Sequence, residues 1–457
     1  MTPDIDPRRD WVSSLPTLVS PRLTLREVSS PDAEPLCRHL ATEEVSKLMM
    51  QPPDAPEGFQ RFIGWARRER VAGRGFCYAI HPADGHEAIG LIQGRAMEAG
   101  YGITEWGFCI GASHWGTGIF VEAARLLADF LFRRVGVRRL EARVVVENLR
   151  AGGALRKLGA DAEGVLRRGV DLRGDRIDQT LWAIKRSEWL SRVLEPVGIV
   201  EFGPRDAESG DAVVPARPRR EWTFQPPVFV GPECTLRELV LGDAQALFDM
   251  MADPAVAELL PPAPPDIRGF EQFITWTQQQ RETGRSIVLG VVPPGRDDVV
   301  GFFQLHSVAP GFATAEWGFV LGSRYWGTGL FRAGAELMLN IIFNTIGVRR
   351  LEARADVDNG RANGALRKMG ATEECRLRRS FLVDDQDRDD VLWSLLDDEW
   401  RAHRTAAATQ PLAIERVRRS MERELSIRFQ TTSTSRRRRR RASARTTTPT
   451  TCSPSRC

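Results

Sequence analysis

The stretch EWGFCIGASHWGTGIF at residues 105–120 returns as EWGFVLGSRYWGTGLF at residues 316–331. The likeness spreads in both directions at a constant offset of 211 residues. Upstream, LREVSSPDA from Leu25 recurs as LRELVLGDA from Leu236. Downstream, GVRRLEARVVVENLRAGGALRKLGA from Gly136 recurs as GVRRLEARADVDNGRANGALRKMGA from Gly347. The same offset carries Gly90 to Gly301, Trp182 to Trp393 and Trp189 to Trp400, so no net insertion separates the copies. A repeat this long is no solenoid unit; it is a whole domain copied once.

The expected organisation is an N-terminal extension (1–19), a first domain (20–190), a linker rich in Pro, Gly and charge (191–230) and a second domain (231–401). A short helical extension (402–429), containing IERVRRSMEREL, precedes an Arg/Ser/Thr-rich tail (430–457) whose composition cannot build a core. The tail holds eight Arg and no acid, so the formal charge of +4 becomes −4 without it. The globular part is therefore nearly neutral and unlike a nucleic-acid-binding surface. The tail itself could touch nucleic acid or a ribosome, be only a solvated end, or be the product of a shifted reading frame in G+C-rich DNA.

Seven scattered Cys (37, 77, 109, 234, 375, 452 and 457) show no metal-ligand spacing, so no metal is expected and a reducing compartment is. The start, MTPDIDPRRDWVSS, lacks the apolar core of a signal peptide, and no apolar run is long enough to span a bilayer. The expectation is a soluble, cytoplasmic protein with no membrane partner.

Within the first copy, alternation in RLTLREV predicts a strand over Arg22–Val28, followed by two helices, the second with Phe59, Phe62, Ile63 and Ala66 on one face. Strands are predicted at Phe76–Ile80, Ala88–Met97 and Ile103–Ile110, then a helix over about Thr117–Val135. RRLEARVVV reads as a strand, ALRKLGA ends a short helix at Gly159, and strands at about Gly164–Asp171 and Ile177–Ile184 close a hairpin. The fold class is thus α/β (α+β), a mixed, mostly antiparallel twisted sheet with helices on both faces, present twice.

GASHWGTGIF lies between a predicted strand and a predicted helix. A glycine-bearing turn there makes an anion site: free first-turn amides point at the ligand, and Gly116 and Gly118 let the backbone come close to a pyrophosphate. Glu105 and Glu316 each precede Trp-Gly-Phe on an otherwise apolar strand, so each carboxyl is expected to be partly buried and raised in pKa toward the range of a useful base. A structural pairing with Arg143 or Arg354 is the alternative for them.

Taken together, PRLTLRE…DAEPL, F-I-x-W, EWGFCIG, the HWGTG turn with EAARLL after it, and LEAR…ENLRAGGALRKLGA resemble the GNAT acetyltransferase superfamily, specifically its ribosomal-protein alanine/serine N-acetyltransferase branch. The resemblance covers nearly all of each copy. It implies the acyl-CoA N-acyltransferase fold and acetyl-CoA as cosubstrate, with the diphosphate cradled by Trp115, Gly116, Thr117, Gly118, Ile119 and Phe120, and by Trp326, Gly327, Thr328, Gly329, Leu330 and Phe331. It also implies pantetheine contacts through the backbone of Phe108, Cys109 and Ile110 and of Phe319, Val320 and Leu321, and a pantetheine-reaching amide at Asn148 and Asn359. Phe120 and Phe331 depart from the family's small residue; either the cofactor sits higher or the rings turn into the core. The family's general acid is missing: its Ser positions are Ala151 and Ala362, and the Tyr residues are only at 78, 101 and 325. Tyr325 and His114 flank the turn at matching positions.

The implied activity is acetyl transfer to a primary amine, a protein N-terminus or a small molecule, by direct attack. The alternative is a CoA-binding sensor or scaffold with one or both copies inactive. The duplication could imitate a dimer within one chain.

Overall fold

The computed structural model describes residues 14–85, 87–97, 101–192, 198–200, 228–258, 260, 263–383 and 386–406. The expected helix within 402–429 and the arginine tail lie outside these, apart from residues 402–406.

The first copy runs β1 (Thr17–Val19), β2 (Leu23–Glu27), α1 (Ala33–Leu40), α2 (Pro56–Val71), β3 (Gly75–Pro82), β4 (Gly90–Ala96), β5 (Ile103–Ile110), α3 (Ile119–Phe130), β6 (Arg139–Val145), α4 (Leu149–Leu158), β7 (Asp161–Leu172), β8 (Asp175–Lys185) and β9 (Gly198–Val200). The second repeats this order, without a counterpart of β9, as β10 (Phe229–Val230), β11 (Thr235–Glu238), α5 (Ala244–Met251), α6 (Ile267–Glu282), β12 (Ser286–Val292), β13 (Gly301–Ser307), β14 (Thr314–Leu321), α7 (Leu330–Asn340), β15 (Arg350–Asp356), α8 (Gly360–Lys368), β16 (Thr372–Val383), β17 (Gln386–Leu396) and α9 (Asp397–Ala406), the last matching a short helix at Arg186–Leu190 in the first copy. Two features were not expected from sequence. β1 precedes the first expected strand, and β9, inside the stretch read as linker, pairs antiparallel with it. The helix after the glycine turn starts at Ile119 rather than Thr117, because Gly118 is still left-handed at φ 83°.

Each sheet is antiparallel except at one seam, where β5 meets β6, and β14 meets β15, in parallel. Strand alternation sorts the two faces. Trp106, Phe108 and Ile110 of β5 join Phe120, Ala123 and Leu127 of α3 in one core, while Cys109 joins Leu91, Cys77, Phe59 and Ile63 under α1 and α2. α2 buries Phe59, Ile63, Ala66 and Arg70 along one stripe, and Gly73 terminates the stretch at φ 66°. Burying a side chain such as Phe59 or Ile63 stabilises by roughly 1.5–3 kcal/mol, so a charge at 63 would undo this layer. Trp106, Trp182, Trp317 and Trp393 are core residues, whereas Trp65 and Trp276 are exposed on α2 and α6, each with its ring against the neighbouring Phe62 or Phe273.

At the entry to the first helices the same device appears twice. Arg26 holds both oxygens of buried Asp32 at 2.9 and 2.6 Å, and Arg237 holds Asp243 at 2.7 Å through both nitrogens. The Ser29 and Val240 amides donate to these carboxylates at 2.8 Å. Burial opposes the charge on Asp32. The imidazole of His81, the Arg26 fork and the Ser29 amide outweigh it and hold the carboxyl at about 2.

The copies meet edge to edge, β7 against β16, through the pair Gly164↔Cys375. These are equivalent positions, so a pseudo-twofold axis passes between them. Leu166, Leu181, Leu377 and Leu392 close a small shared core around Cys375. Charges cross the axis reciprocally: Arg143 forks onto Glu352 at 2.8 Å, and Arg354 onto Glu141 at 3.0 Å. Arg139 reaches the Arg378 carbonyl at 2.9 Å, and Arg350 the Arg167 carbonyl at 2.8 Å.

Candidate active site

β5 and β6 pair only from Ile103↔Arg139 to Glu105↔Glu141. Beyond Glu105 they part: β5 stays with β4, β6 stays with β8, and no ladder joins their facing edges. The second copy does the same, its seam ending at Glu316↔Glu352. Both sequence-predicted glutamates therefore sit at the apex of a V-shaped opening in the sheet. Their side chains are 20% and 25% exposed, so an incoming group can reach a carboxyl that protein otherwise surrounds.

At the open end of each V lies the glycine turn. Gly116 and Gly118 take φ 77° and 83°, Gly327 and Gly329 φ 75° and 91°, a region that side chains other than glycine's rarely adopt. A Cβ at Gly116, Gly327 or Gly329 would meet nothing within 4 Å, so the concave side of the turn is open. Thr117 ties the turn together, donating to the His114 carbonyl at 2.8 Å, and its hydroxyl lies 3.4 Å from the Ile119 amide; Thr328 repeats this with Tyr325 and Leu330. The first-turn amides of α3 and α7 face the opening with the positive end of the helix dipole. The residues fit a diphosphate.

Trp115 donates its indole N–H to the Ile110 carbonyl at 3.1 Å, and Trp326 donates to Leu321 at 2.8 Å, lacing each turn to its strand end. The Phe120 ring turns inward and packs on Phe108 at 4.3 Å, as Phe331 does on Phe319 at 4.6 Å. That decides between the two expectations for these residues: their rings belong to the core. Cys109 and Val320 are buried on the opposite face, where burial pushes the Cys109 thiol up to about 12 and removes it as a nucleophile. The side-chain oxygens of Asn148 and Asn359 cap α4 and α8, accepting from Ala151 and Ala362 at 3.1 and 2.9 Å. This gives both residues a structural duty.

The sequence reading missed Arg150 and Arg361, whose guanidinium groups lie 3.5 and 3.7 Å above the Trp115 and Trp326 rings. Their recurrence at the same offset in the repeated stretch was the available signal. It also missed Arg22, which donates to the Thr117 carbonyl at 3.2 Å while paired with Glu122 at 2.6 Å. Glu233 stands at the matching position of the second copy.

The glutamates are paired as the structural alternative anticipated, but unequally. Glu105 Oε2 is 3.1 Å from Arg95 and 3.2 Å from Arg143. Among the described residues, Glu316 forms an ion pair with Arg354 alone, at 3.6 Å. Desolvation raises the Glu316 carboxyl above its ordinary range; Arg354 and Arg143 work against this, Glu352 and Glu141 with it.

The family "Acetyltransferase (GNAT) domain" matches residues 22–161 and again residues 233–372. The chain belongs to this family and is an N-acetyltransferase with two GNAT domains in tandem. It is 30% identical over 174 residues to the uncharacterized N-acetyltransferase p20 of Bacillus licheniformis, covering 98% of that protein and 38% of this chain. It is 24% identical over 178 residues to the [ribosomal protein uS5]-alanine N-acetyltransferase of Escherichia coli (strain K12), covering 92% of that protein and 38% of this chain. Among solved structures, the ribosomal-protein-S5-alanine acetyltransferase of Vibrio fischeri matches with a TM-score of 0.35 and 17% identity, over 38% of this chain and 98% of that one. No described helix is long and apolar enough to cross a membrane.

Proposed function

We propose that this protein uses acetyl-CoA to acetylate a primary amine, a protein N-terminus before a small amine, in the cytoplasm. The observation that carries the reading is the pairing of a carboxyl at the apex of each V with an open anion cradle at its mouth. Acetyl-CoA supplies the activated acyl group. The amides after Gly118 and Gly329 hold its diphosphate, and the strand edges opened beyond Glu105 and Glu316 receive its pantetheine arm.

The chain's remaining task is to take a proton from the amine. At pH 7, deprotonating an α-amine of pKa about 8 costs roughly 1.4 kcal/mol, whereas a lysine of pKa about 10.4 costs roughly 4.6 kcal/mol. A single carboxyl with a modestly raised pKa meets the first demand far more easily. The name of the Escherichia coli relative points to the same acceptor class.

The test is release of CoA thiol from acetyl-CoA by the full chain, with peptides bearing free N-termini, the same peptides blocked at the N-terminus, and small polyamines. Turnover with free N-termini that is lost on blocking supports the reading. Turnover with polyamines alone overturns the acceptor. Release no faster than buffer with every amine overturns the reading altogether.

A further inference from the structure

The two copies are alike in sequence but not in the electrostatics of the V. Across the strand pair β4–β5, the residue opposite Glu105 is Arg95; across β13–β14, the residue opposite Glu316 is His306. Arg95 and Arg143 both bear on one oxygen of Glu105, at 3.1 and 3.2 Å. The first copy's glutamate is thus clamped between two guanidinium groups.

The second copy lacks this clamp. Burial keeps the His306 imidazole neutral near pH 7, and no ion pair joins it to Glu316 among the described residues. Arg354, the ion-pair partner of Glu316 among the described residues, has both terminal nitrogens on Glu141 at 3.0 Å and reaches Glu316 through Nε at 3.6 Å. The surroundings differ in the same direction. Asp356 and Asp390 line the second copy where the first has Val145 and Gln179. Both acids are buried, with Ser380 bonded to Asp390 at 2.7 Å and Arg388 to Asp356 at 3.3 Å. Glu316 is thus faced by His306 on β13, by Glu352 and Arg354 on β15, by Asp390 on β17, and across the axis by Glu141 and Arg143.

We infer that the copies have divided their roles: the V of the second domain carries out acetyl transfer with Glu316 as proton acceptor, His306 is the positioning residue that leaves that carboxyl unclamped, and Arg95 holds the corresponding group of the first domain out of service. This rests on the reading of the apex glutamates as proton acceptors. A neutral imidazole cannot stabilise the carboxylate as a permanent guanidinium does, so the position opposite the glutamate sets its readiness to accept a proton.

The experiment is the pH profile of kcat/KM in the full-length protein with acetyl-CoA and a free N-terminal peptide. Glu316→Gln is expected to lower kcat/KM on the order of a hundredfold, and far more than Glu105→Gln does. His306→Arg, which builds the first copy's clamp into the second, is expected to move the acidic limb of the profile down by about one pH unit and to slow turnover above it. Adding Arg95→His to Glu316→Gln is expected to return part of the lost activity. A larger loss from Glu105→Gln, or an acidic limb unmoved by His306→Arg, overturns the division of roles while acetyl transfer stands. Wild-type rates in both glutamine variants remove the proton-acceptor reading itself.

Discussion

Arg143 in the first domain and Glu352 in the second form a two-pronged ion pair, both contacts at 2.8 Å, with the Glu352 side chain wholly removed from solvent. Glu352 also takes Arg350 at 2.8 Å and sits directly across the seam from Glu316. One carboxylate therefore links the domain interface to the apex of the site.

Glu352→Gln leaves Arg143 and Arg350 facing a neutral amide in a dry interface. Breaking one partner of a buried pair costs about 3–5 kcal/mol, much of it from the stranded charge. Denaturant unfolding of the full chain should show a loss of that size, whereas Glu87→Gln, which opens a half-exposed pair with Arg38, should cost under about 1 kcal/mol.

Asp390 gives a pH dependence of opposite sign to an ordinary carboxylate. Burial, with Asp356 and Glu316 nearby, raises it from 3.8 to about 6, against Ser380 and Arg354. The folded state therefore holds the proton more tightly than the unfolded chain, and stability falls as pH climbs from about 4 to about 6. Asp390→Asn is expected to raise the free energy of unfolding at pH 8 by up to about 3 kcal/mol, read from denaturant titration, and to change it little near pH 4. Equal effects at both pH values would contradict this assignment.

Asp32 works the other way. Held at about 2 in the folded protein against 3.8, it contributes about 2 kcal/mol that is fully present above pH 4 and is lost as pH falls toward 2. In Asp32→Asn that acid-labile part should vanish from the stability–pH curve, along with the capping carboxylate for the Ser29 amide.

At the glycine turns, Gly116→Val and Gly327→Val together force left-handed backbone on branched residues and fill the open concave side. Calorimetric titration of CoA should show affinity reduced by at least about tenfold in the double variant, a loss of about 1.4 kcal/mol. Far-ultraviolet circular dichroism should be unchanged, because nothing lies within 4 Å of either added Cβ.

Much of this was legible in the sequence because the chain states it twice. Glycines at 116 and 118 are ambiguous alone, but their return at 327 and 329 between the same elements marks a shared constraint. β5 was read correctly as Ile103–Ile110 because an apolar run broken only at Thr104, Glu105 and Gly107 stands between two glycine-bearing turns, and the two final strands were placed within a few residues. What could not be read was the address of each charge. Glu141 and Arg143 lie two residues apart on one strand, which suggests nothing about partners in another domain. Phe120 resembled a departure from the nucleotide turn because its inward direction depends on where α3 begins. The contrast between Arg95 and His306 became meaningful only once strand register set each opposite a glutamate.

The crossing point of the pseudo-axis shows what fusing two copies permits. A Cβ on Gly164 would lie 2.2 Å from the Cβ of Cys375, so one position must be bare for the other to carry a side chain. In an assembly of identical subunits, a residue on the twofold confronts itself, and knob and hole cannot both be written into one codon. A single polypeptide escapes that constraint, and the interlock disfavours pairing of two second halves, whose Cys375 side chains would collide at the axis.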